Sequence, residues 1–364
     1  MDKKSILLKE LAKGRCNNFD FLRFIAAIFV IVSHSFPLVY GDNKKELFYI
    51  FTHGQLTFGN LAVKVFFIIS GFLIARSWDN TNNIFQFMKA RILRIFPGII
   101  TVVAISTFIL GAIFTTYPLK EYFQNENTYR YLSSITLYHM QYSLPGVFQD
   151  NIYQNAVNGS LWTLMHEFNC YILIGILGLL KLLKKQFILP LFLFTFTSYV
   201  MKWEFPGLPQ LSLKLAVCFF AGTLFFCFKD IIKIRTTYFI ISVAVLLLAT
   251  QFRGFEITST ILLPYIVLYL AFTPHIKLNR FAAGGDLSYG IYIYAFPIQQ
   301  IITHLFGETI QWYTNLILAI PFVLLFSFLS WHFIEKPFIN LKNMGVRDFY
   351  ENIRNQFHYL NRAH

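Results

Sequence analysis

Ten apolar runs, each close to the length that crosses a bilayer, follow one another along this chain at about 21–40, 58–76, 97–117, 158–180, 186–201, 210–228, 236–251, 257–273, 286–305 and 312–334. A helix needs about 20 mainly apolar residues to span the hydrocarbon core. No water is present there to satisfy the backbone, so spanning segments must close their own hydrogen bonds as helices. Charged residues make up only 13% of the 364, against 56% hydrophobic, whereas a soluble domain carries about 25% charged residues. An ordinary water-soluble enzyme, a disordered tail and a collagen-like fibre are thereby excluded. The expected fold is an all-α polytopic membrane protein with about ten transmembrane helices. The run at 131–148 is too mixed to span and is expected to be an interfacial or re-entrant piece.

The formal net charge of +13 raises nucleic acid as a partner, but in a membrane protein basic excess belongs first to cytoplasmic loops. With the N-terminus inside, Lys44, Lys45, Lys120, Arg130, Lys202 and Arg253 fall on the far side, and Arg23, Lys64 and Lys214 fall within spans. Every other Lys and Arg falls on the near side. This asymmetry accounts for the basic balance without nucleic acid and puts both termini in the cytoplasm. Three parts are expected: a basic tail over 1–20, a ten-helix membrane domain over 21–335, and a second basic tail over 336–364. The opening MDKKSILLKELAKGRCNNFD lacks the short apolar core and small-residue cleavage site of a secretory signal, so the first run is expected to be a retained helix. Cys16, Cys170, Cys218 and Cys227 have no metal-ligand spacing. They are expected to be reduced, and no metal site is expected.

Ionisable residues inside spans cost about 2.5–3.5 kcal/mol each on insertion scales and default to functional candidates. Those singled out here are Arg23, His34, Lys64, His166, Glu167 and Lys214. Arg23 and His34 are eleven residues apart on one helix, which at about 100° per residue puts both on one face, about 16 Å apart along the axis. Singly, Arg23 is as well read as a snorkelling anchor and His34 as an interhelical hydrogen-bonded side chain. Together they suggest a line from the inner surface towards the outer leaflet. Arg91 and Arg94, just before the third run, share a face at i, i+3 and form a good phosphate clamp, with plain positive-inside orientation as the alternative. In NGSLWTLMHEFNCYI (158–172), Ser160 is a plausible N-cap and Trp162 suits an interfacial aromatic belt. Glu167 lies deep enough to need a partner: His34, which it would orient or make more basic, or a structural ion pair with Lys64 or Lys214.

Five segments in order, FDFLRFIAAIFVIVSH, FFIISGFLIAR (66–76), RILRIFP (91–97), NGSLWTLMHEF (158–168) and FIEKPF (333–338), resemble the membrane-bound acyltransferase family 3 over nearly the whole chain. The resemblance implies an enzyme that moves acyl groups, usually acetyl, from cytoplasmic acyl-coenzyme A to sugar hydroxyls on the far side of a bacterial inner membrane. Acceptors of the family include O-antigen, capsule and other envelope polysaccharides, and peptidoglycan. It makes Arg23 and His34 the essential pair, makes Arg91 and Arg94, with Arg76, the donor-binding arginines, and marks Ser70, Gly71 and Phe72 as the SGF element. Trp162 and Glu167 occupy its recurrent fourth-helix positions. Two departures stand out: Ala295 replaces the late His of SYxxYxxH, and Lys64 stands where many members have Asp.

Combined, these readings make acetyl-coenzyme A the expected donor and a cell-surface or lipid-linked glycan the acceptor, with membrane lipids around the bundle and no nucleic acid. His34 is the general base or transient acyl carrier, Glu167 its orienting acid, and Arg23 the third catalytic candidate. Ser160, Trp162, Tyr289 and Lys64 are the acceptor-side candidates, with Ser160 or Tyr289 as guesses for the oxyanion donor that such chemistry needs. The competing class is a polysaccharide polymerase, flippase or glycan transporter, which would not need phosphate-clamping arginines in line with a deep histidine.

Overall fold

The computed structural model describes residues 6–14, 17–207, 209–273 and 278–343. Cys16, Lys277 and the C-terminal tail from 344 onward lie outside the described residues. Each of the ten apolar runs carries a helix: α1 (Phe19–Tyr40), α2 (Phe58–Thr81), α3 (Ile84–Phe114), α4 (Trp162–Leu179), α5 (Lys185–Val200), α6 (Gln210–Cys227), α7 (Thr236–Gln251), α8 (Phe255–Phe272), α9 (Ser288–Phe306) and α10 (Trp312–Asn340). Among the described residues, seven of these (α1 to α4, α6, α8 and α10) are long and apolar enough to cross a membrane. The chain is a multi-pass helical membrane protein. Helices α5 and α7 have 16 residues each. Helix α9 carries Tyr289, Tyr292, Tyr294, Gln299 and Gln300, and is buried continuously from Ser288 to Gln300. It sits inside the bundle against α1 and α10, where its polar groups find protein partners instead of lipid.

The SGF element explains how the centre closes. A Cβ on Gly71 would run into the carbonyl oxygen of Phe219 on α6, and one on Gly222 into that of Ile68 on α2. The two glycines let these backbones touch, which is how small residues drive helix association where lipid offers no hydrophobic gradient. Phe72 is fully buried beside them, against Phe19, Phe226 and Phe272.

One expectation needs correction, and two others gain detail. The third helix begins at Ile84, capped by Asn83, so Arg91 and Arg94 lie within it and not before it. The expected N-terminal tail is partly folded: Ile6–Leu7 pairs antiparallel with Lys233–Ile234, a short strand pair in an otherwise helical chain. Leu8, next to it, is fully buried. The 131–148 run forms a 3-10 turn (Tyr131–Thr136) and an irregular cap on α3, with Tyr131, Leu144, Val147 and Phe148 buried. Nearby, α3 widens into a π-turn at Ser106–Leu110, and the Tyr122 hydroxyl donates to the Thr107 carbonyl at 2.8 Å. A carbonyl loosened by the extra residue in the turn is thereby satisfied.

Candidate functional site

At one end of the bundle, the start of α1, the end of α2 and the start of α9 converge with the start of α3 and the end of α10. Asp286, just before α9, binds two arginines with one oxygen: Arg94 Nη2 at 2.6 Å and Arg23 Nη1 at 2.9 Å. Its second oxygen accepts from the Ser288 hydroxyl and backbone N–H. Burial pushes the Asp286 carboxyl up, but Arg23, Arg94 and the Ser288 bonds outweigh it and hold it well below the usual carboxylate range. Glu335, only 1% exposed, reaches the other side of Arg94 at 3.4 Å and is held by the Ser330 hydroxyl at 3.0 Å. It stands on a second π-turn, Trp331–Glu335. Neither carboxylate figured among the candidates read from sequence. Asp286 lies two residues before the SYxxYxxH element and Glu335 within FIEKPF, and a buried arginine's need for a counter-charge was the available signal.

Above this charge cluster opens a cavity of about 190 Å³, lined by Arg23, Arg91, Arg94, Ser70, Glu167, Tyr171, Tyr289 and Tyr292, with Lys342 also in its wall. Arg91 differs from Arg94. Among the described residues no carboxylate holds it; its guanidinium lies over the rings of Phe87 and Tyr171, and its Nε is buried without a partner. Of the two candidate clamp arginines, Arg91 is therefore the one whose donors remain available to an anion.

On α4, Glu167 turns into this same cavity. It accepts from the Tyr171 phenol and from the Ser70 hydroxyl at 3.1 Å. It makes no contact with His34, Lys64 or Lys214, so none of its expected partnerships forms. Lys214 pairs instead with Glu256, and Lys64, fully buried, donates to the Glu256 carbonyl, Ser259 and Thr260 on α8 at 2.8–3.0 Å. Lys64 is a helix-to-helix tie and lines neither cavity. Arg76 is also elsewhere: it donates to the Gly14 carbonyl at 3.0 Å and fastens the N-terminal segment. Tyr289 points to the arginine side, donating to the Ile95 carbonyl at 2.7 Å.

His34 lines a second cavity, of about 170 Å³, with Ser160, Trp162, Ser33, Asn43, Thr57 and Asn60. Its ring stands edge-on to Phe296, centroids 5.2 Å apart, and its Nδ1 is buried without a hydrogen-bond partner. Ser160 is not the N-cap of α4. The Asn158 side chain accepts from the Ser160 N–H at 3.1 Å, which closes a turn and delays the helix to Trp162. The Ser160 hydroxyl is consequently buried without a partner. Two orphaned polar atoms thus belong to side chains that line one small cavity. An unpaired buried polar group costs about 1–3 kcal/mol, a debt that a hydroxylated ligand would cancel.

The two cavities have two lining residues in common, Val63 on α2 and Tyr292 on α9. Helix α1 contributes Arg23 to one cavity and His34 to the other, so the line drawn from their spacing runs through both. Among the described residues no group of His, Cys, Asp and Glu is arranged to hold a metal ion, and Cys170, Cys218 and Cys227 are free.

A family model described as an acyltransferase domain matches residues 17–334. The chain is 30% identical over 338 residues to the O-acetyl transferase of Shigella phage Sf6, an alignment covering 89% of this chain and 96% of that protein. It is 26% identical over 377 aligned positions to Nodulation protein 10 of Rhizobium leguminosarum bv. viciae, covering 93% and 97%. No solved structure matches the chain.

Proposed function

We propose a function from one premise: the chain belongs to the membrane-bound acyltransferase family 3, and its two abutting cavities divide the reaction between them. It transfers an acetyl group from acetyl-coenzyme A on the cytoplasmic side to a hydroxyl of a cell-surface or lipid-linked glycan on the far side of a bacterial inner membrane. The observation that carries this reading is the pairing on α1 of Arg23 with the arginine cavity and His34 with the polar cavity beyond it. Anionic phosphates of the donor suit the end that holds Arg91 and Lys342, since each guanidinium offers a planar donor fork. A polyhydroxylated acceptor suits the cavity walled by His34, Ser160, Asn43 and Trp162.

In the chemical step, the acceptor hydroxyl gives its proton to the His34 imidazole as its oxygen attacks the thioester carbonyl. The new C–O bond forms, the C–S bond breaks, and its electron pair leaves on the coenzyme A thiolate, which recovers the proton from the imidazolium. Among the described residues no carboxylate bonds His34, so the ring works without an orienting acid. The Ser160 hydroxyl, left without a partner, supplies a donor to the carbonyl oxygen as charge builds there. Glu167, with Ser70 and Tyr171, shapes the donor cavity.

The test is transfer of label from radiolabelled acetyl-coenzyme A to surface glycan in membrane vesicles, for wild type and His34→Ala. Label reaching the glycan with wild type alone, while the variant is still inserted and folded, supports the reading. Equal transfer by the variant removes His34 from the mechanism. No transfer to envelope glycans by wild type removes the activity itself.

A further inference from the structure

We propose that Tyr292, with Val63, is the residue that sets the length of acyl chain this enzyme accepts; the inference rests on the acyl-transfer reading above and goes beyond it to donor specificity. Tyr292 stands where the two cavities abut and lines both. Its phenol is fixed from two sides. The hydroxyl donates to the Ser160 carbonyl at 2.8 Å, and its one proton being so used, the Thr163 hydroxyl 2.5 Å away must donate to it. Phe66 stands edge-on to the ring, centroids 5.9 Å apart. The ring is therefore a braced wall, not a loose side chain that swings aside without breaking two buried hydrogen bonds.

A thioester carbonyl presented from the arginine cavity to the His34 side has to arrive at this wall. The carbons beyond the carbonyl must then lie against Tyr292 and Val63, and a two-carbon group needs the least room there. Each further methylene has to displace a buried aromatic ring held at its hydroxyl. A pocket that closes on a terminal methyl discriminates by about 10-fold or more per added methylene.

Transfer to vesicle glycan is measured with acetyl-, butyryl- and hexanoyl-coenzyme A for wild type, Tyr292→Ala, Tyr292→Phe and Val63→Ala, with insertion and monodispersity checked for each. Wild type is expected to prefer acetyl. Tyr292→Ala and Val63→Ala, which lower the wall from opposite helices, are expected to raise the hexanoyl-to-acetyl ratio of kcat/KM by about tenfold or more. Tyr292→Phe, which keeps the ring but loses both hydroxyl bonds that brace it, is expected to raise the ratio by less than Tyr292→Ala does. A purely structural role would lower all three donors together. Unchanged ratios in the folded alanine variants overturn the inference while acetyl transfer still stands; if Tyr292→Ala does not fold, Val63→Ala decides alone. Failure of wild type with every donor overturns the acyl-transfer reading, and the inference falls with it.

Discussion

Arg94 and Asp286 meet at 2.6 Å, and the same carboxylate oxygen binds Arg23 2.9 Å away. With Glu335 on its other side, Arg94 is the centre of a partly buried charge cluster that ties α1, α3 and α10 to the start of α9. Removing one member of such a cluster leaves the others unpaired, at a cost of about 3–5 kcal/mol when burial is complete and less at this partial exposure. Asp286→Asn should therefore lower the Tm of the purified protein, whereas Asp286→Glu should lose less. The Asp286 carboxyl titrates well below the usual range, so its stabilisation is fully present above the unfolded value and is lost only as pH falls through the depressed folded one. The Tm gap between wild type and Asp286→Asn should persist undiminished down to the ordinary carboxylate range; a gap that closes above it would show that Asp286 is not held as described.

The two clamp arginines should separate. Arg91→Ala removes a guanidinium with no carboxylate partner and is expected to raise KM for acetyl-coenzyme A about ten- to hundredfold, the worth of a charge-assisted hydrogen bond of about 1.5–3 kcal/mol, with the amount of folded protein little changed. Arg94→Ala strands Glu335, takes from Asp286 one of its two arginines, and should reduce the folded yield first. Matching effects of the two variants on KM and on yield would refute this division.

Glu167 bonds Ser70 and Tyr171 and does not touch His34. Glu167→Gln should accordingly leave the midpoint of the pH profile of kcat/KM where it is in wild type, and change donor KM instead. His34→Ala should cost about 10²–10⁴ in rate. A pH midpoint displaced by a full unit in Glu167→Gln would mean that the two residues are coupled after all.

Lys64 spans from α2 to α8 and ties both together through Glu256, Ser259 and Thr260. Lys64→Met should lower the Tm by an amount corresponding to about 1–3 kcal/mol, with acetyl transfer per folded molecule unchanged. A change in acceptor preference at constant Tm would return Lys64 to the site.

Much of this architecture follows from local signals. Apolar length alone locates the ten helices, and the eleven-residue spacing of Arg23 and His34 foreshadows that one helix serves both cavities. What stayed hidden depends on contacts distant in sequence. Asp286 lies far along the chain from the arginines it neutralises, and no helical period points from one to the other. Glu167 sits at a depth that demands a partner, but depth does not say on which side; the Ser70 hydroxyl on α2 and the Tyr171 phenol on α4 itself decide that. Ser160 looks like a cap from its type and place. The helix starts instead at Trp162, with Leu161 at the cap position and no side-chain cap, because the Asn158 side chain closes a turn onto the Ser160 N–H. Both cavities are walled by several helices, α9 among them through Tyr292, and the tyrosines and glutamines of α9 weaken its apolar signal because it packs against protein.

The pairing of Ile6–Leu7 with Lys233–Ile234 also sets an order of events. A ribosome delivers residues 6–14 well before their partners, which emerge only after α6 has been made. Until then Leu8 has no buried seat, and the Gly14 carbonyl that Arg76 holds is tethered at one point. Contacts between segments this far apart close late because the intervening chain must be ordered first. Residues 6–14 are thus fastened by a segment more than two hundred positions later, like a clasp that shuts only after the helices between have been threaded into the bilayer.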